Sequence, residues 1–153
     1  MIKINLYCVG NLKDKEFVGM CQEYSKRISK YAKLTVYELK EKNNLGDIPT
    51  IIENESQEII SKVDLSKTIL FDVKGDSLSS EDLAKFFETW FLNNSELNFV
   101  IGGSYGVSNK VKELANKRLS VSKMTFPHRL FRVMALEQIY RALSIINNSQ
   151  YHK

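Results

Sequence analysis

Thiols, prolines and long apolar runs are scarce in this 153-residue chain, and each scarcity removes a class of protein. Only Cys8 and Cys21 are present, and they form no C-x-x-C pair. A disulfide scaffold and a zinc site are therefore both unsupported, and two core thiols are expected. The opening MIKINLYCVG has no basic start ahead of a long apolar run. Its apolar and polar residues alternate, which makes it a strand rather than a signal peptide; a cytoplasmic chain with no membrane partner is expected. Charge of one sign is also modest. With 22 Lys and Arg against 18 Asp and Glu, the net charge of +4 permits a nucleic-acid partner without requiring one. Neither G-x-G-x-x-G nor G-x-x-x-x-G-K-[ST] occurs, which disfavours dinucleotide and ATP binding by the standard loops. No carboxylate pair falls in a plausible cleft and no Ser/His/Asp order stands in motif context, so hydrolase chemistry has no support either.

What the chain does have is 43% hydrophobic residues, enough for the core of one domain spanning residues 1–153. Ile2, Ile4, Leu6 and Cys8 alternate with polar neighbours in a first strand ending at Val9 and Gly10. Phe17, Met20, Cys21, Tyr24, Ile28 and Tyr31 then recur at helical spacing. A second strand is expected over Lys33–Leu39, followed by a solvated loop from Lys40 to Asp47 and a helix starting at the T-x-x-E signature of Thr50 and Glu53. Lys67–Val73 is a third strand, and a helix capped near Ser79 turns Leu83, Phe86, Phe87, Trp90 and Phe91 inward. LNFVIGG is a fourth strand, Ser108 caps a short helix, RLSVS is a fifth strand, and Pro127 opens a last helix to about Asn147. Strands alternating with helices call for an α/β fold with a mostly parallel sheet and helices on both faces.

Apolar residues surround most of the last helix instead of forming one stripe: Leu130, Val133, Leu136, Ile139, Leu143 and Ile146 are among them. Two arrangements satisfy that pattern, a helix buried against a second subunit and a helix buried inside its own chain. The first is the expectation here, and with it a homodimer.

In open α/β sheets, ligands bind beyond the carboxyl ends of the strands. Three such ends carry unusual sequence: FDVKGD, IGGSYG and SKMTFPH. Gly102, Gly103 and Gly106 permit tight turns and close approach of backbone amides to a ligand, which suits a nucleoside or its ribose.

VIGGSYG, LSVSKMTFPHRLFRV, EQIYRA and the terminal YHK, in that order and with VGNLK near the start, resemble the ribosomal large-subunit pseudouridine N3-methyltransferase family of the SPOUT superfamily. The likeness extends over the whole chain and is densest from Phe99 onward. It implies a C-terminal trefoil knot, S-adenosylmethionine as cofactor, an obligate homodimer, no metal, and methylation of large-subunit rRNA within the ribosome. By position, it implies a cofactor pocket of Phe71, Gly102, Gly103, Val121, Ser122, Lys123, Met124, Thr125 and Phe126. The expected contacts to RNA are His128, Arg129, Arg132 and Lys153. Arg129 and Arg132 are placed to hold phosphates, and Lys153 to meet one beside a Tyr151 stacked on a base. Arg141 has two readings, an i, i+4 pair with Glu137 and a substrate contact reaching across a dimer. N3 of a pseudouridine must lose its proton to become a nucleophile, and His152 is the candidate to assist, with Tyr151 and Arg141 orienting the base. Two rival functions remain: a sibling SPOUT enzyme acting on tRNA, and a noncatalytic RNA-binding ribosome-assembly factor.

Overall fold

A computed structural model describes residues 1–153. Its five strands are β1 (Ile2–Val9), β2 (Ala32–Leu39), β3 (Thr68–Ser77), β4 (Glu96–Ile101) and β5 (Lys117–Ser120). They form one parallel sheet in the order β2-β1-β4-β3-β5. The helices are α1 (Lys15–Ile28), α2 (Ile48–Lys62), α3 (Ser80–Asn93), α4 (Asn109–Leu114) and α5 (His128–Ile146).

The period-two alternation of β1 sets the two layers. Ile4, Leu6 and Cys8 point into a core shared with Ile28 of α1, Leu83, Ala84 and Phe87 of α3 and Leu136, Ile139 and Leu143 of α5. Val9 faces the other way, into a smaller core with Leu39, Leu70 and Val100 of the sheet, Ile59 of α2 and Val111 of α4. The α/β expectation with helices on both faces therefore holds. Each fully buried Leu or Ile contributes about 1.5–3 kcal/mol of transfer free energy, which makes the three-helix side the heavier half of the core.

Two local expectations are corrected. Helix α2 begins at Ile48, three residues before the T-x-x-E signature implies, because the Asp47 side chain accepts from the Thr50 N–H at 3.0 Å and so caps the helix, with Pro49 in its first turn. Strand β3 runs on to Ser77 past an excursion. Phe71 and Asp76 both lie opposite Leu119, so residues 72–75 loop out of the ladder. Gly75 lets that loop return, since a Cβ there would sit 2.7 Å from the carbonyl carbon of Arg118.

Helix α5 packs against both α1 and α3. Leu136, Ile139 and Leu143 are essentially inaccessible, and even Arg132 and Ser144 are buried. The apolar circumference read from the sequence is thus consumed largely within the chain, and it no longer serves as the observation for a second subunit.

Candidate active site

The strand-end loops singled out in the sequence converge. Asp72–Lys74 from the β3 excursion, the turn after β4 and the segment after β5 line one cleft of about 530 Å³, floored by Phe71, Ile101, Leu119 and Phe131. That size suits a nucleoside-sized ligand. Gly102, Gly103, Val121, Ser122, Met124, Thr125 and Phe126 all lie on its wall, whereas the exposed Lys123 does not line it.

The turn after β4 is built tightly. Gly106 has φ +85° and its N–H donates to the Gly103 carbonyl at 3.0 Å. Behind the turn sits Glu55, a carboxylate 2% exposed, and a Cβ on Gly103 would collide with it. Glu55 Oε2 accepts from the Lys42 N–H at 2.8 Å, while Oε1 has no partner. The Ser56 hydroxyl accepts from the Ser108 N–H at 2.9 Å, and Ser108 in turn caps α4. The backbone N–H groups of Ser104, Ser122, Thr125 and Phe126, four residues of the cleft lining, have no acceptor within the protein. Apolar walls with unpaired backbone donors are what a purine ring and its ribose require.

His128 belongs to this wall as well. Its Nε2 meets the Gly102 carbonyl, and because a carbonyl only accepts, Nε2 carries the proton. His128 therefore ties the first turn of α5 to the glycine turn and faces inward, not outward toward an RNA strand.

Arg129 does face solvent, where it pairs with Asp14 at 2.7 Å. Arg132 does not. Its side chain is 8% exposed, with Nη1 on Glu38 at 2.5 Å and Nη2 on the Gly10 carbonyl at 2.9 Å. Its donors are committed to bracing the β1–α1 turn against β2, so the expectation of a phosphate grip at Arg132 is corrected: a guanidinium held in this way is a structural brace. Burial pushes the Glu38 carboxyl up. The Arg132 hydrogen bond and charge, together with the Leu12 N–H, outweigh that and hold it below the usual range. A depressed carboxyl adds stability that is present above its unfolded pKa, about 4.3, and is lost as pH falls through the lower folded value. The stability difference between wild type and Glu38→Gln should thus be full at neutral pH, begin to shrink as pH falls toward about 4.3, and vanish only once pH is below the lower folded value, as read in denaturant titrations. Because Glu38 is more than a third exposed, the difference should stay under about 1 kcal/mol.

The remaining residues expected to act on the base form a second cluster. Arg141 pairs with Glu137 through Nε and Nη2 at 2.8 and 3.1 Å, so the intrahelical reading of Arg141 is borne out. Arg141 Nη1 also meets His152 Nδ1 at 3.1 Å, and His152 Nε2 meets Glu81 Oε1 at 2.7 Å. The Tyr151 ring packs edge-on against Tyr140 with centroids 4.6 Å apart, and Arg141 lies over it at 4.8 Å. Burial and the Tyr24 hydroxyl push the Tyr151 phenol up to about 12, so it stays a neutral donor at pH 7. The tail is thus docked on α5 rather than frayed; Lys153 alone is exposed. By the 1.5 Å rise per residue, His128 and Arg141 stand roughly 20 Å apart along α5. The chain does not bring its cleft and its tail cluster together.

The sequence reading missed Glu81, which sits two residues after the Ser79 cap with no spacing signal linking it to His152, and Lys112, which reaches the cleft from α4. Asp72 and Lys74 were visible only as the unusual FDVKGD stretch. The two thiols stay in the structure of the core, and burial pushes Cys8 up to about 12. No group of three or more His, Cys, Asp or Glu is placed to hold a metal. No helix is long and apolar enough to cross a membrane.

A parallel sheet whose strand-end loops close on one cleft defines the class of α/β folds that carry their site beyond the strand termini. Residues 2–152 match the family described as "Predicted SPOUT methyltransferase". The chain is 44% identical to "Ribosomal RNA large subunit methyltransferase H" of Clostridium acetobutylicum, over 99% of this chain and 100% of that protein. It is 42% identical to the protein of the same name from Fusobacterium nucleatum, with the same coverage. Among solved structures, a probable methylase family protein from Haemophilus influenzae Rd KW20 superimposes with a TM-score of 0.56 at 14% identity, covering all of this chain and 72% of that one. A tRNA (m1G37) methyltransferase from Aquifex aeolicus gives 0.54 at 14% identity, covering 91% of this chain and 69% of that one; at this identity both show the fold alone. The chain belongs to the SPOUT methyltransferase family, and its chemistry accordingly requires a methyl donor.

Proposed function

We propose that this chain transfers a methyl group from S-adenosylmethionine to N3 of a pseudouridine in large-subunit rRNA, in the cytoplasm, on the assembled ribosome. The observation that carries the reading is the cleft, where three strand-end loops present apolar walls and unpaired backbone donors, in a chain whose full-length relatives bear an rRNA methyltransferase name. Val121, Met124 and Phe126 would hold the adenine, the turn at Gly102 and Gly103 would hold the ribose and methionyl portion, and Phe71 would close the floor. Ser122 and Thr125 would add backbone donors, and Lys123 is an exposed residue between them. When bound, the cofactor supplies an electrophilic methyl group on a sulfonium. His128 fixes the carbonyl of Gly102 at that wall. Arg129 and Lys153 are the exposed cations left for phosphate.

The roughly 20 Å between cleft and tail cluster bears on how the site is assembled. If Arg141, Tyr151 and His152 act on the base that meets the cofactor, they come from a second copy of the chain. The homodimer is therefore part of this proposal, as is the trefoil knot, to which the packing of β5 against the β3 excursion is pertinent.

The test is methylation of ribosomes from a strain lacking the gene, followed by mass mapping of rRNA nucleosides. Ribosomes should gain one N3-methylated pseudouridine, and naked rRNA fragments should be poor substrates, because a chain with only +4 net charge offers little to hold a free stem-loop. Methylation of tRNA instead, or of no RNA, ends the reading. A separate expectation concerns the pocket. In Gly102→Val a Cβ would lie 2.8 Å from the Val107 side chain and displace the turn. Calorimetry should show S-adenosylmethionine binding weakened by at least tenfold in a folded variant, and unchanged affinity would remove the cofactor from this cleft.

A further inference from the structure

We infer that Glu81 is the positioning carboxylate of His152, holding the imidazole with its proton on Nε2 so that Nδ1 is the nitrogen offered to the target base. The inference rests on the methyltransferase reading above and adds a residue and a proton path to it.

The hydrogen-bond roles in the tail cluster leave one consistent assignment. Arg141 has donors only, so the His152 Nδ1 that it meets at 3.1 Å must be the acceptor. Nε2 then bears the proton and donates it to Glu81 Oε1 at 2.7 Å. A carboxylate on one imidazole nitrogen sets the tautomer, orients the ring and stabilises the cation that forms when the other nitrogen takes a proton. Glu81 is itself fixed in place. It lies in the first turn of α3 behind the Ser79 cap, and Ser80 Oγ donates to Gln138 Oε1 at 2.8 Å, which locks that end of α3 to α5. The His152 interaction is the main reason the Glu81 carboxyl sits below its ordinary range, so it remains an anion at neutral pH.

Nδ1 is capped only by Arg141, whose Nε and Nη2 remain on Glu137 when Nη1 lets go. A uracil-type edge entering here meets an acceptor for N3–H and, beside it, a guanidinium edge for the adjoining carbonyl. In the step, the N3–H bond breaks and its proton passes to His152 Nδ1, giving an imidazolium next to Glu81. The N3 electron pair forms the new bond to the methyl carbon, the S–CH3 bond breaks with its pair remaining on sulfur, and the imidazolium afterwards returns its proton to water.

Glu81→Gln is the informative variant, because it keeps the size and an acceptor oxygen while removing the charge, at a side chain 58% exposed and so tolerant of change. General bases contribute about 10²–10⁴-fold, and loss of the orienting charge should remove a part of that. The expected result on ribosomes is a fall in kcat on the order of tenfold or more, with KM and S-adenosylmethionine affinity within about twofold of wild type. An independent readout is available because the chain has only two histidines. In nitrogen-15 histidine-labelled protein, wild-type His152 should show the Nε2–H tautomer with a downfield Nε2–H proton, and Glu81→Gln should move that proton upfield. An unchanged kcat, a loss confined to KM, or an Nδ1–H tautomer in wild type each overturns the inference. A wild type that methylates no ribosomal RNA overturns the underlying function first, and the role of Glu81 with it.

Discussion

A chain ending at Gln150 is expected to lose at least about a hundredfold of its methyl transfer to ribosomes while still binding S-adenosylmethionine. The loss follows from removing the only imidazole of the tail cluster together with Tyr151, since a general base alone contributes about 10²–10⁴-fold. Cofactor binding should survive because the cleft is lined by residues 71–131 and lies roughly 20 Å up α5 from the cluster. The truncation is not silent for folding, however. Tyr151 packs on Tyr140 and its hydroxyl lies 3.5 Å from that of Tyr24, so its removal should cost about 1–2 kcal/mol, read as a lower midpoint in urea. Single-turnover methylation of ribosomes at saturating enzyme is the measurement. Wild-type rates from the truncated chain would show that the tail acts only as packing.

Leu136→Asp should unfold the protein outright. Leu136 is 1% exposed in the middle of α5, within a core that also holds Leu6, Phe87, Phe99 and Leu143. A carboxylate there has no partner and leaves a void in place of an isobutyl group, a combination that costs about 4–5 kcal/mol or more out of a typical total of 5–15. Loss of cooperative thermal unfolding, or insolubility, is the expected outcome; a soluble variant with a wild-type midpoint would contradict the placement of α5. Oligomeric state is better read from the wild type, where sedimentation at micromolar concentration should give a dimer.

Periodicity located elements such as β1 and α3 because each buries a patterned face, the first by alternation and the second by helical spacing, while α5 was marked by its Pro127 start and its length of apolar sequence. It failed where partners distant in sequence decide. Arg132 looks like any basic residue on a helix near a loop, and only the folded chain reveals Glu38 and Gly10, 94 and 122 positions away. His128 stands in the sequence as an RNA contact implied by the resemblance, while the Gly102 carbonyl that claims it belongs to a different strand end. At α2 two valid start signals stood three residues apart, and Asp47 with Pro49 prevailed over Thr50 with Glu53. The detour at residues 72–75 depends on how β3 and β5 slide past one another, which no local pattern encodes. The loops after β3, β4 and β5 were legible as unusual, and their meeting in one cleft follows from strands of one parallel sheet ending at the same edge.

Helix α5 is a rigid rod with the cleft wall at its first turn and the imidazole cluster toward its end, and rods do not fold back on themselves. The consequence is genetic as much as chemical. A chain crippled in its glycine turn and a chain crippled in its tail, each inert alone, should regain activity when expressed together, because the mixed pair joins one sound cleft to one sound tail. With random pairing, half of all pairs are mixed and each restores one site of two, so about a quarter of the wild-type rate should return. Recovery of that size marks a site shared between two molecules, and no recovery marks one completed within each.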